Sequence, residues 1–223
     1  MDWFESCFAC HCFNVDLNML FTDSYQTIKT SCEAELRERA SRFIAYAYPI
    51  KTEQDAKEII QQLKKEHYSA AHHCWALVLE PDSSFQKSSD DREPSGTAGR
   101  PILRTILAKN LTNVLVVVVR YFGGKLLGVP GLIAAYGGAS EACLEKVEVI
   151  KKDLFNQYKI EIPFARHHEL IRHFKQFDLK FYPHVEEDFE GIIFEVSPTK
   201  VNAVLDKIKE QGFNTPKWLK YEK

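Results

Sequence analysis

Long apolar runs, an excess of one charge and internal repetition are all missing from this sequence of 223 residues. Each absence excludes something. No apolar run approaches the roughly 20 residues that cross a bilayer, and the longest strongly apolar stretch is Val114–Val119, so no membrane partner is expected. The start, Met1-Asp2-Trp3-Phe4-Glu5, carries acids where a signal peptide carries cations. The expected location is therefore the cytoplasm. The net charge of −2 excludes a polycation, so nucleic-acid binding must come from a local patch. No tandem repeat is present. Cys32, Cys74 and Cys143 stand far apart, as free thiols do in a reducing compartment. An apolar fraction of 45% and a charged fraction of 27% are ordinary for a folded chain and exclude global disorder.

Cys7-Phe8-Ala9-Cys10-His11 fits the C-x-x-C-H pattern of haem attachment. With Cys12 it also supplies zinc-type ligands. No export signal precedes it, and no distant second pair closes a zinc shell. No metal and no cofactor are expected. Residues 1–21 are read as a disordered leader, with Met19 as an alternative start.

Further along, Tyr25–Lys29 and Phe43–Tyr48 read as strands around a charged bend. Thr52 is a good N-cap, with Glu53 and Asp55 in the first turn. Ala56, Ile59, Ile60 and Leu63 then line one helix face running to about Glu66. Ala71–Glu80 reads as a buried strand, Pro81–Arg100 as a long polar loop, and Ile102–Lys109 as a helix opened by Pro101. Val114–Val119 has the continuous apolar character of a central strand covered on both faces. Gly131–Glu148 is a second long helix. After Val149 the order is strand, helix, hairpin and helix, with a further strand at the end. That is the ferredoxin-like pattern.

Eight of the ten glycines fall between residues 95 and 140. The same window holds Arg100, Arg104, Lys109, Arg120 and Lys125 and no acid. Glycine-rich turns beside cations and a helix start form an anion site, and phosphate is the natural guest. Gly123-Gly124-Lys125 lacks the hydroxyl residue of a P-loop, because Leu126 follows the lysine. The glycines also fail the spacing of a dinucleotide fold. Asp90, Asp91 and Glu93, beside Ser95, Gly96 and Thr97, offer carboxylates for Mg²⁺ or proton transfer, against the plainer reading of a solvated acidic turn. His72 shares a strand face with Cys74. It is a candidate proton carrier, although a buried Cys74 is the simpler reading.

Three long segments carry a resemblance. They are Ala71-His72-His73-Cys74-Trp75-Ala76, then Asp90 to Leu103 through Glu93-Pro94-Ser95-Gly96-Thr97-Ala98-Gly99-Arg100-Pro101, then Val118 to Gly128 through Arg120-Tyr121-Phe122-Gly123-Gly124-Lys125. In this order they resemble the IMPACT family in its bacterial, YigZ-like branch, over about residues 22–213. The Ser41-Arg42-Phe43-Ile44 strand start also fits. The resemblance implies an α+β protein: a domain of the ribosomal-protein/RNase PH second-domain fold over 22–152, and a ferredoxin-like domain over 153–223. The pair looks like domains IV and V of the translocation factor EF-G. Eukaryotic relatives compete for an activator of the amino-acid-starvation kinase, partly through an extra N-terminal domain that is expected to be absent here, so that activity is not carried over.

Three positions depart from the family pattern. Arg92 and Pro130 stand where glycine is usual, and Ala134-Ala135-Tyr136 lacks a preceding basic residue. The expected function is RNA or ribosome binding in translation regulation. Arg100, Arg104, Arg120 and Lys125 would grip phosphates around Gly123 and Gly124, and Tyr121 or Phe122 would stack a base. The alternatives are an enzyme acting on a phosphorylated or acidic small molecule through Asp90, Asp91 and His72, and an adaptor that docks a protein through its C-terminal domain.

Overall fold

The structure, a computed structural model, describes residues 23–186 and 189–222. The leader and its cysteine cluster lie outside these residues. The chain is a mixture of helices and sheets in two compact units, one of residues 24–153 and one of Asp23 with residues 154–222.

The first unit is built on a five-stranded antiparallel sheet. Its strands are β2 (Cys32–Glu38), β3 (Ser41–Pro49), β4 (His72–Leu79), β5 (Phe85–Ser89) and β6 (Val114–Tyr121), in the order β2-β3-β6-β4-β5. The apolar run explains the central place of β6, where every residue from Val114 to Arg120 is buried. Helices α2 (Gly99–Ala108) and α3 (Gly128–Leu144) cover one face, packing Ile102, Ile106, Leu132, Tyr136 and Ala139 on Phe43, Ala45, Val116 and Val118. Helix α1 (Glu53–Glu66) covers part of the other face through Ala56, Ile60 and Leu63. Thr52 caps it as expected: Asp55 N–H donates to Thr52 Oγ1 (3.1 Å), and Thr52 N–H donates to Asp55 Oδ2 (2.9 Å). This reciprocal cap satisfies two donors that a helix start otherwise leaves unpaired. Strands β1 (Ser24–Ile28) and β7 (Val149–Asp153) pair with each other, Ser24 opposite Asp153.

Three strands differ from the reading of the sequence. The charged bend is β2, and the polar loop contains β5. In β2, Cys32, Ala34 and Leu36 pack inward on the core while Glu33, Glu35 and Arg37 face outward. This is a half-buried edge strand whose charges hide its period of two. Edge strand β5 has polar residues through most of its length. Strand β7 is the third, short and largely exposed. Helix α3 also begins three residues earlier than expected, at Gly128.

The second unit runs β8 (Phe155–Glu161), α4 (His167–Gln176), β9 (Lys180–Glu186), β10 (Phe189–Val196), α5 (Val201–Glu210) and β11 (Lys217–Glu222). Its sheet has the order β11-β8-β10-β9. Ile160, Leu170, Phe174, Ile192, Phe194 and Val204 form its core. Among the described residues no helix is long and apolar enough to cross a membrane.

Candidate functional site

The glycine-rich window folds into two loops, residues 90–98 ahead of α2 and residues 122–127 ahead of α3. A buried polar cluster ties one loop to the other. Arg120, at the end of β6, is 5% exposed, and Glu93 is 9% exposed. The Arg120 guanidinium donates to Glu93 Oε1 at 2.6 Å. The same oxygen accepts from the Tyr136 hydroxyl at 2.7 Å. His72 Nε2 lies 3.8 Å from it. The Arg120 guanidinium also stands 5.4 Å from the Phe43 ring centre and 5.5 Å from that of Phe122. A buried pair of this kind sets position more than it adds stability, since desolvation of both charges offsets much of their attraction.

This geometry corrects the sequence reading at Arg120. Its charge is neutralised by Glu93, which lies just outside the acid-free window, and its side chain is buried. It does not present a free cation to a phosphate.

The three carboxylates also part company. Asp90 accepts backbone N–H groups from Gly96 (2.8 Å), Ala98 (2.9 Å) and Gly99 (2.7 Å). It therefore fills the N-terminus of α2, and the anion at this helix start is the protein's own. Burial raises the Asp90 pKa, but those three donors and nearby Arg100 outweigh it and hold the value below the ordinary one. Asp91 turns the other way and accepts from His73 N–H at 2.7 Å. Its carbonyl oxygen lies 2.8 Å from His72 Nδ1. Glu93 is committed to Arg120 and Tyr136. The acids converge on no shared point, so they do not form the Mg²⁺ or proton-sharing cluster entertained from sequence. Thr97 is buried, and its hydroxyl donates to the Pro94 carbonyl at 2.6 Å; Ser95 is exposed. Cys74 is buried, its thiol contacting Asp90 O (3.1 Å) and the Tyr136 hydroxyl (3.3 Å). Burial above all pushes its pKa up to about 12, which makes it a poor nucleophile. Burial likewise pushes Tyr136 up.

The remaining predicted residues lie outside this cluster. Arg100 and Arg104 are exposed one turn apart on α2, and Lys125 is exposed in the second loop. None of the three has an ion-pair partner among the described residues. Gly123 packs against the β2–β3 turn: a Cβ there would lie 2.1 Å from the Ala40 carbonyl carbon. Gly124 has φ of +82° and open space around it. Tyr121 is half-buried, its hydroxyl 2.9 Å from His67 Nδ1. Apolar side chains stand out beside these loops: Phe122 is 51% exposed, Leu126 84%, Val129 52% and Ile133 38%. No charged residue occurs from Leu126 to Ser140. Sequence reasoning missed this apolar face of α3, because its low contrast between faces hides which side is outward. It also gave no role to Tyr136, which holds Glu93 of the first loop and the Cys74 thiol from α3.

The Impact N-terminal domain model matches residues 39–144, a span that includes both loops and the cluster beneath them. An IMPACT family member of Haemophilus influenzae is 41% identical over 144 residues, 64% of this chain and 70% of its own length. The chain belongs to the IMPACT family. Its family relatives include YvyE of Bacillus subtilis, 44% identical over 59% of this chain. That match spans 60% of the Bacillus protein. YigZ of Escherichia coli is 38% identical over 56% of this chain and 63% of its own. A crystal structure described as a hypothetical protein superposes with a TM-score of 0.63 and 28% identity, covering 91% of this chain and 99% of that one.

Proposed function

We propose that this IMPACT family member binds RNA on the ribosome and acts in translation regulation in the cytoplasm, through the surface formed by the two loops, α2 and the start of α3. The observation that carries this reading is a set of exposed cations without ion-pair partners among the described residues, Arg100 and Arg104 on α2 and Lys125 in the loop that also exposes Phe122. Cations hold phosphates without regard to sequence, and an exposed ring offers a base a stacking face. Gly124 and Gly128, exposed and uncrowded, keep side-chain bulk low where a nucleic-acid backbone would approach. Arg120 serves this surface from below by holding the 90–98 loop. The β–α–β–β–α–β order of the second unit supports a ferredoxin-like domain beginning near residue 153. The first unit is read, from the resemblance, as the ribosomal-protein/RNase PH second-domain fold.

The test uses the whole chain. In sedimentation of cell lysate, the wild type travels with ribosomes at low salt and leaves them as salt rises, because phosphate contacts release counterions. The double variant Arg104→Glu, Lys125→Glu folds normally and stays in the supernatant. Unchanged co-sedimentation of that variant refutes the reading.

A further inference from the structure

On the sheet face opposite α2 and α3, α1 leaves β2 and β3 open. Strand register arranges what is displayed there. Glu33 lies opposite Tyr46, Glu35 opposite Ile44, and Arg37 opposite Arg42. Arg42 in turn lies opposite Tyr121 on β6. Ile44 is the buried floor of a groove of about 330 Å³, ringed by Glu33, Glu35, Arg42, Tyr46, His67 and Tyr121. The volume suits one small planar ligand, at the lower end of the range for small-molecule sites.

The groove is polarised. At one end Arg42 donates through Nε to Glu35 Oε2 (2.7 Å), which leaves both terminal amino groups of its guanidinium unspent. Arg37 takes the other Glu35 oxygen at 2.7 Å, so Glu35 is neutralised. At the other end the Glu33 carboxylate has no partner among the described residues. Along the side, His67 bridges two hydroxyls, Tyr46 through Nε2 and Tyr121 through Nδ1, each at 2.9 Å. A neutral imidazole donates at one nitrogen and accepts at the other, so one of these hydroxyls keeps a free hydrogen and the other keeps free lone pairs. Lys146 also lines the groove, its ammonium donating to the Glu33 carbonyl oxygen at 3.3 Å.

We propose that this groove is a binding site for a guanine base. Guanine carries two adjacent N–H donors, N1 and N2, which match the free Glu33 carboxylate. Its neighbouring acceptors, O6 and N7, match the free fork of Arg42. Its flat face lies over Ile44 beside the Tyr46 ring. The sugar leaves the base near the N2 side, which brings a nucleotide's phosphate toward Lys146. Adenine fails at both ends: it has no N1 hydrogen for Glu33, and its amino group meets the donors of Arg42. The site is independent of the loop surface proposed above.

The full chain is titrated with GMP, IMP and AMP, followed by calorimetry and by amide NMR shifts. GMP binds, IMP binds more weakly because it lacks the N2 amino group, and AMP is weaker than GMP by about tenfold or more, since a matched bidentate contact is worth about 1–3 kcal/mol. Glu33→Gln and Arg42→Ala, both at exposed positions, keep the wild-type circular dichroism and melting temperature and each lose about tenfold in GMP affinity. Lys125→Glu leaves GMP affinity unchanged, which separates this site from ribosome binding. A guanine-containing RNA trinucleotide that binds more tightly than GMP identifies RNA as the source of the base, and equal affinity identifies a free nucleotide. Equal affinity for GMP and AMP, no GMP binding at about 10 mM, well beyond a millimolar site, or an intact guanine preference in Glu33→Gln overturns the proposal.

Discussion

Removing the Arg120 guanidinium would leave the buried Glu93 carboxyl group with the Tyr136 hydroxyl and, 3.8 Å away, His72 Nε2. We predict that Arg120→Ala lowers unfolding stability by about 3–5 kcal/mol, the usual consequence of orphaning a buried charge. Urea denaturation measures it. Arg120→Met with Glu93→Gln, which removes both charges together, recovers much of the loss, and a double variant no better than the single one contradicts the description of the pair. Asp90 gives a second residue-level prediction, one of pH. Its folded pKa lies below the unfolded value of about 3.9, so its contribution is fully present above that value. It is lost as pH falls through the folded pKa. Asp90→Ala therefore costs about 1 kcal/mol at neutral pH and flattens the acid limb of the stability profile. A profile parallel to wild type between about pH 2 and 5 rules this out. Residue types in sequence pointed to Arg120 and Asp90 as important. They hid the roles: Glu93 is 27 positions from Arg120, and the donors to Asp90 are backbone N–H groups of the following turn, which side-chain types do not reveal.

Elements were legible where their periodicity was strong. The Val114–Val119 run announced the sheet's centre, and Thr52 with Asp55 announced the start of α1. Edge strands β2 and β5 were not legible, since one face of each meets solvent and carries the charges expected of a bend. The two loops show the same limit. Adjacent glycines look alike in sequence, yet Gly123 faces the β2–β3 turn backbone and Gly124 faces open space. Gly123→Ala is predicted to cost about 1–3 kcal/mol through overpacking against Ala40, and more if the turn cannot shift. Gly124→Ala costs about 1–2 kcal/mol, through its left-handed backbone alone. Thermal melts of the two variants decide it, and the order reversed would mean that the loop sits elsewhere.

For the whole molecule, the two compact units invite separate expression. We predict that residues 24–153 alone fold cooperatively and keep ribosome association, because both loops and α2 lie within them. Loss of association by this piece, with folding intact, would assign the binding to the other unit. The surface proposed for the first unit was read from a charge anomaly in sequence, and which of its cations are exposed became visible only once burial was known. The pairing of β1 with β7 has one more consequence. Ser24 and Asp153 sit side by side, so the polypeptide enters and leaves this unit at the same doorway. Such a body can be spliced as a cassette into a surface turn of an unrelated host protein without stretching either, and new ends can be cut elsewhere in its circuit while the old ones are joined.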